Sequence, residues 1–338
     1  MDGEALRITV IGSGSWGTAF GRLLCRNGHH VTILTQTAEE AARLTARRVN
    51  EHFLPGVAIP EGIGFAAIGD ADLHGVEVVV YAVPTQAVRQ VAAWVAPRRP
   101  RAALQLSLAK GLELRTVRRP TEIIAEETGS AAAVLSGPNH AEEVARDMPS
   151  ATVVAAADDR VARALQRAVT SDTFRVYRNA DVAGVEFCGA AKNPIAIAVG
   201  MSDGLGYGDN TRASLITRSL AEVARLGSRL GAQFETFAGL AGIGDMIATC
   251  TSQHSRNRRA GELLARGHAP AELQGIIEQV VEGIPTTYAL HDLAGNLGVQ
   301  MPVTENVYQA LEHGRSAPDC VRALMTREPT AEDRIQRH

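Results

Sequence analysis

Three features of the sequence predict an α/β domain with a mostly parallel sheet, followed by an all-helical domain. Short β-like runs alternate with helical patterns up to about residue 178. A glycine-rich turn lies directly after the first of these runs and opens the first helix. Beyond residue 180 the apolar spacing is helical, and no strand pattern returns.

The strand candidates, in order, are "RITVIG", "HVTILT", "GFAAI", "VEVVVYAV", "AALQLS", "AAVLSG", "SATVVAAA" and "TFRVYR". Each is a short β-like run set among helical patterns. Between the first two lies "WGTAFGRLLCRNG", apolar at helical spacing and closed by Gly28. The segment "TAEEAARLTARR" reads as a polar, exposed helix. Strands alternating with helices imply a sheet covered on both sides. From "VAGVEFCGAAKNPIAIAVGMSDGL" onward the chain reads as helices: this long buried one, then "TRASLITRSLAEVARLGSRLG", "AGELLARG", "PAELQGIIEQVV", "PTTYALHDLAGNLG" and "TENVYQALEHG". The boundary falls near Asn179, giving domains 1–179 and 180–338. The tail "TAEDRIQRH" reads as polar and frayed.

Of 338 residues 45% are hydrophobic and 21% charged, with a formal net charge of −3. That gives no strong basic face overall, which argues against nucleic acid as the main partner and for a small ligand held by a local cationic site. Cys25, Cys188, Cys250 and Cys320 are scattered, with no C-x-x-C and no zinc-like Cys/His spacing, so reduced cytoplasmic thiols and no metal are expected. The N-terminus lacks a signal-peptide pattern. No run is expected to span a membrane, because Lys, Asn and Pro break the apolar stretch around Lys192.

"ITVIGSGSWGTAFG" places Gly12, Gly14 and Gly17 in the G-x-G-x-x-G pattern of a Rossmann-like domain. Gly12 makes the tight turn, Gly14 admits a pyrophosphate to the backbone, and Gly17 lets helix and strand pack closely. The helix N-terminus supplies free N–H groups and the positive dipole end. The alternative is a glycine turn with no ligand. At the end of the second strand stand Thr35, Gln36 and Thr37, with neither the acid that holds an NAD ribose nor an arginine for a 2′-phosphate. Both NAD and NADP stay admissible. Arg43, Arg47 and Arg48 read as a solvated helix face.

The 34 basic residues comprise 32 arginines and only two lysines, Lys110 and Lys192. An arginine stays charged at any relevant pH, whereas a buried lysine can lose its proton and act as a base. Both lysines sit in apolar, glycine- and alanine-rich contexts; the bland reading makes them accidents or interface cations. Lys192 in "GAAKNPIAIAV" suits a general base working near neutral pH. Pro194 is either a kink that aims Lys192 into a cleft or an ordinary bend or helix start. Asp245 lies in an apolar, glycine-rich run where a buried acid needs a partner: a lysine, or a helix end it would cap. Ser255, Arg256 and Asn257 stand where a helix begins and suit a phosphate monoester. Gly137 and Asn139 mark another strand-to-helix turn of the same kind.

These stretches carry a resemblance. "GSGSWGTA", "HFLPGVAIP", "AVPTQAVR", "SLAKGLE", "LSGPNHAEEVA", "GAAKNPIAIAVG", "GLAGIGDMIATCTSQHSRN" and "VVEGIPT" occur in the order found in bacterial-type NAD(P)-dependent glycerol-3-phosphate dehydrogenases, which the chain resembles over nearly its whole length. The resemblance implies interconversion of sn-glycerol 3-phosphate and dihydroxyacetone phosphate with NAD or NADP, feeding phospholipid synthesis. It implies that Lys192 is the proton acceptor and that Lys110 touches substrate and cofactor. Gly137, Asn139, Asp245, Ser255, Arg256 and Asn257 match substrate positions; Asn139 stands where the family has Ser or Thr. Ser15, Trp16, Gln36, Phe53, Ala141, Arg256, Val280 and Glu282 match cofactor positions. A homodimer through the helical domain follows from the resemblance alone. Two other readings compete. One is a β-hydroxyacid or 6-phosphogluconate type of dehydrogenase, distinguished by its substrate. The other is a non-catalytic NAD(P)-binding sensor, which would have no need of a base.

Overall fold

The computed structural model describes residues 4–328. The tail 330–338 lies outside them. Among the described residues ten strands are formed: β1 (Arg7–Ile11), β2 (His30–Thr35), β3 (Val49–Asn50), β4 (Leu54–Ala58), β5 (Ile63–Ala67), β6 (Val78–Tyr81), β7 (Leu104–Ser107), β8 (Ala133–Ser136), β9 (Ser150–Ala155) and β10 (Phe174–Asn179). Among them run α1 (Ser15–Arg26), α2 (Ala38–Arg47), α3 (Val88–Val95), α4 (Pro120–Thr128), α5 (Ala141–Val144) and α6 (Asp159–Val169). After β10 come α7 (Val182–Gly204), α8 (Asp209–Arg229), α9 (Phe234–Phe237), α10 (Asp245–Thr251), α11 (Arg256–Ala265), α12 (Leu273–Ile277), α13 (Gly283–Leu297), α14 (Pro302–His313) and α15 (Ala317–Met325).

The chain divides into two compact units. One runs to Ala109 and resumes over Pro120–Val182; the other takes Lys110–Arg119 and everything from Ala183. In the first, eight strands form one sheet in the order β10-β9-β8-β7-β6-β1-β2-β5. Every pair is parallel except β8 with β9. The period of two along the strands sorts their side chains onto two faces. Ile8, Val10, Val78 and Val80 join one apolar cluster; Ile11, Val79 and Tyr81 join the other. Covering both faces buries all four residues of β6 and of β8, which is why these runs read as continuously apolar. The chain winds outward from β1 to β2 and β5, then returns to lay β6 on the other side of β1. The carboxyl ends of β1 and β6 are therefore a topological switch point. The β3–β4 hairpin lies outside the sheet and has no counterpart among the sequence's strand candidates.

In the second unit α7 is the central helix. It is apolar all round, as a helix packed on every side must be. By length and composition it could cross a membrane, but 83% of its apolar window is buried inside the protein, as in the core helix of a packed domain. Pro194 lies within this continuous helix and is not its start. Gly200 and Gly261 bring α7 and α11 into backbone contact. A Cβ added at Gly200 would meet the Arg258 carbonyl oxygen at 1.9 Å, and one at Gly261 would meet that of Ile197 at 2.0 Å. The decapeptide 110–119, read from sequence as part of the first domain, packs with the helices. Leu112 enters their core, and Arg119 pairs with buried Glu186 at 2.8 Å. One expected helix is cut short: α12 stops at Ile277, because Glu278 turns to φ +58°.

Candidate active site

The glycine turn joins β1 to α1 at the switch point of the first unit. Gly12 has φ +113°, and a Cβ there would lie 2.4 Å from the Ala82 carbonyl oxygen. A Cβ on Gly17 would lie 2.0 Å from the Gly12 carbonyl oxygen. Gly14 differs. Its φ is −64°, and an added Cβ meets nothing within 4 Å. Gly14 is also the N-cap of α1 and gives no side-chain cap to the N–H groups of the first turn. Open space beside an uncapped helix N-terminus is what a dinucleotide pyrophosphate requires, and these residues fit that group.

The supports of the turn are buried. Asn50 Nδ2 donates to the Ser13 carbonyl at 2.7 Å, and Thr18 Oγ1 donates to the same oxygen at 3.0 Å. Ser15 Oγ donates to the Phe53 carbonyl at 2.6 Å. Trp16 packs with Ala19, Leu54, Val57 and Ala141. The structure thus groups Ser15, Trp16, Phe53 and Ala141 around the turn. Gln36 stands exposed at the end of β2, whereas Thr35 turns inward, donating to the Thr37 carbonyl at 2.8 Å. Arg48 departs from the expected solvated face: it is half-buried and donates to the Ile63 carbonyl at 2.7 Å. Gly137, at φ +150°, lies against β9, where a Cβ would meet Thr152 Oγ1 at 2.8 Å; Asn139 Nδ2 donates to that oxygen at 3.3 Å.

These geometries separate the glycines experimentally. Gly17→Ala is expected to cost about 1–3 kcal/mol of stability, the usual cost of forcing an atom into a packed contact. Gly14→Ala should melt like the parent but bind NADH more weakly. A Gly14→Ala variant with unchanged NADH affinity in a calorimetric titration would detach Gly14 from the cofactor.

In the second unit three charged side chains converge. Lys192, on α7, is 5% exposed and Asp245, the first residue of α10, is 2% exposed. Lys192 Nζ donates to Asp245 Oδ1 at 2.5 Å and to Thr249 Oγ1 at 2.7 Å. Lys110 Nζ donates to Asp245 Oδ2 at 2.9 Å. Each carboxylate oxygen therefore has its own ammonium partner. Asp245 is not a cap, since Gly244 holds that position. Burial pulls the Lys192 pKa down; the Asp245 charge opposes this and Lys110 adds to it, leaving Lys192 at about 7. For Asp245, burial pushes the carboxyl up, but the charges and hydrogen bonds of Lys110 and Lys192 outweigh it, and its pKa is lowered. A neutral Lys192 has two N–H bonds. Asp245 and Thr249 take both, which leaves its lone pair unshared.

A buried amide relay surrounds this cluster. Asn193 Nδ2 donates to the Lys110 carbonyl at 2.8 Å, and Asn257 Nδ2 donates to Asn193 Oδ1 at 2.9 Å. Gly283 N–H donates to Asn257 Oδ1 at 2.9 Å. The relay ties the backbone of Lys110 to α7, α11 and the start of α13. Ser255 caps α11 by accepting from the Arg258 N–H at 3.2 Å. Arg256 is exposed, and its Nη1 donates to the Val280 carbonyl at 2.9 Å. Lys110, Lys192, Asp245, Ser255, Arg256, Asn257, Val280 and Glu282 all belong to this unit; Gly137, Asn139 and the glycine turn belong to the other. Thr249 and the bridging amide of Asn193 are absent from the sequence's site residues. Thr249 carried one signal, being four residues after Asp245 and so on the same helix face.

Residues 7–162 match the family model of the NAD-dependent glycerol-3-phosphate dehydrogenase N-terminus, and residues 181–322 match that of its C-terminus. The NAD(P)+ glycerol-3-phosphate dehydrogenase of Moorella thermoacetica is 49% identical over 325 residues, covering 96% of this chain and 97% of the relative. That of Geobacillus kaustophilus is 47% identical, covering 95% and 94%. The crystal structure of glycerol-3-phosphate dehydrogenase from Coxiella burnetii superposes with a TM-score of 0.91 at 37% identity, covering 96% of this chain and 99% of that one. With both halves matched in order and relatives this similar along nearly its full length, the chain belongs to the NAD-dependent glycerol-3-phosphate dehydrogenase family.

Proposed function

We propose that the chain is an NAD(P)-dependent oxidoreductase that interconverts sn-glycerol 3-phosphate and dihydroxyacetone phosphate, with Lys192 as its general acid and base. The observation that carries the lysine's role is its burial against Asp245 and Thr249, with a pKa near neutrality. A group of that pKa exchanges a proton readily in both directions. The bound cofactor supplies one thing, acceptance or return of the hydride.

The chain's own residues do the rest. Neutral Lys192 takes the proton of the secondary hydroxyl as the alcohol is oxidised, and returns it to the carbonyl oxygen on reduction. Lys110, beside the same carboxylate, stabilises negative charge that develops on that oxygen. Ser255, Arg256 and Asn257, at the start of α11, bind the substrate phosphate, with Gly137 and Asn139 assigned to substrate by resemblance. Phosphate binding then orients the reacting carbon. The cofactor is assigned to residues 1–179 through Gly12, Gly14, Ser15, Trp16, Gly17, Gln36, Phe53 and Ala141. Its remaining contacts are Lys110, Arg256, Val280 and Glu282, and the substrate chemistry is assigned to residues 180–338 together with Lys110. A homodimer, a cytoplasmic location and supply of glycerol 3-phosphate to phospholipid synthesis belong to the same reading.

The test is reduction of dihydroxyacetone phosphate with NADH and NADPH in parallel, followed by absorbance. Turnover with either cofactor supports the reading. Turnover only on hydroxyacids, or nucleotide binding with no turnover, sinks it. Arg256→Ala is expected to raise KM for the phosphorylated substrate by on the order of ten- to a hundredfold, as loss of a charge-assisted anion contact does. An unchanged KM removes Arg256 from the phosphate site.

A further inference from the structure

The acid that NAD enzymes place at the end of the second strand is missing here, where Thr35 faces inward and Gln36 is neutral. A carboxylate reaches the same end of the site by another route. Thr37-Ala38-Glu39-Glu40 has the pattern of a capping box, and half of it forms: the Glu40 N–H donates to Thr37 Oγ1 at 3.2 Å. The Glu40 side chain reaches elsewhere, accepting a hydrogen bond from Ser13 Oγ at 2.6 Å. Ser13 is the residue between Gly12 and Gly14. It is 7% exposed, and its carbonyl is fixed by Asn50 and Thr18. The Glu40 carboxylate is thus fastened to the glycine turn itself, beside the carboxyl end of β2.

Two of the arginines nearby are engaged away from this carboxylate. Arg47 pairs with Glu51 at 2.9 Å. Arg48 donates to the Ile63 carbonyl and pairs with Glu61 at 3.3 Å. Arg43 lies on the exposed face of α2.

We propose that Glu40 is the specificity-determining residue for the cofactor's adenosine ribose: held on the glycine turn by Ser13, its carboxylate favours NAD over NADP. This rests on the cofactor site proposed above. A ribose carrying two hydroxyls can donate to a carboxylate. A 2′-phosphate can only accept, and brings nearly two negative charges against it.

The experiment measures dissociation constants of NADH and NADPH by calorimetry for the parent and for Glu40→Gln. Glutamine keeps an oxygen for the Ser13 hydroxyl and removes only the charge. The NADPH-to-NADH ratio of dissociation constants should fall by on the order of tenfold, chiefly through tighter NADPH binding. An unchanged ratio in a folded Glu40→Gln variant overturns the proposal. If that variant does not fold, the parent gives the same answer with salt. Raising ionic strength should favour NADPH relative to NADH, because screening relieves repulsion; a ratio that stays constant or moves the other way overturns it. A parent that binds neither nucleotide overturns the cofactor site itself, and this assignment with it.

Discussion

Replacing Lys192 with Arg is expected to leave a folded protein whose turnover has fallen by about a thousandfold or more, within or above the range general acid–base catalysis supplies. The loss follows from proton chemistry. Lys192 has a pKa of about 7 because burial and Lys110 outweigh the attraction of Asp245. A guanidinium in the same place stays protonated and offers no lone pair. The parent's pH profile carries the signature. Oxidation of glycerol 3-phosphate needs the neutral amine, so kcat/KM should rise about tenfold per pH unit below 7 and level off above it. Reduction of dihydroxyacetone phosphate needs the ammonium, so its limb runs the other way and falls above pH 7. Lys192→Arg should abolish both limbs. A variant with near-normal turnover, or a parent whose two directions share one limb, would remove Lys192 from the proton transfer.

The lysine was legible because its sequence background is so uniform. Two lysines stand out among 34 basic residues, each in an apolar setting, and the structure brings both amino groups to Asp245. The glycine turn was legible for a similar reason: its backbone demands are local, and Gly12 and Gly17 would clash if they carried a Cβ. Eight strand candidates correspond to the eight strands of the sheet: burial on both faces makes β6 and β8 continuously apolar, while edge strand β10 shows alternating burial instead. Other features depend on contacts distant in sequence. Thr249 acquires its role only because α10 presents it to a lysine 57 residues earlier. Asn193 reads as a neighbour of Lys192 until its bonds to the Lys110 carbonyl and to Asn257 are seen. The Thr37–Glu40 pattern points to a capping box, and only the fold shows Ser13 competing for the carboxylate. The decapeptide 110–119 lies between two strands in sequence, but Leu112 and Arg119 commit it to the helices.

Asp245→Asn is the second change with a large expected effect, and it separates charge from shape. The amide keeps the side chain's outline and one acceptor, but two amino groups then share a buried site without their anion. Removing one member of a buried ionic cluster costs about 3–5 kcal/mol, so the variant should melt well below the parent. Loss of the carboxylate also removes the charge that raises the Lys192 pKa and leaves the two influences that lower it, burial and Lys110. The surviving activity should therefore show its oxidation limb at lower pH than the parent, not higher. Turnover should fall by about a hundredfold or more, because Lys192 and Lys110 each lose the partner that orients them. A limb displaced upward would mean that Asp245 does not hold the proton on Lys192. A melting temperature equal to the parent's would mean that the two lysines do not need the carboxylate between them. Only the pair of results, lower stability together with a limb moved to lower pH, fits one buried carboxylate serving both ammonium groups.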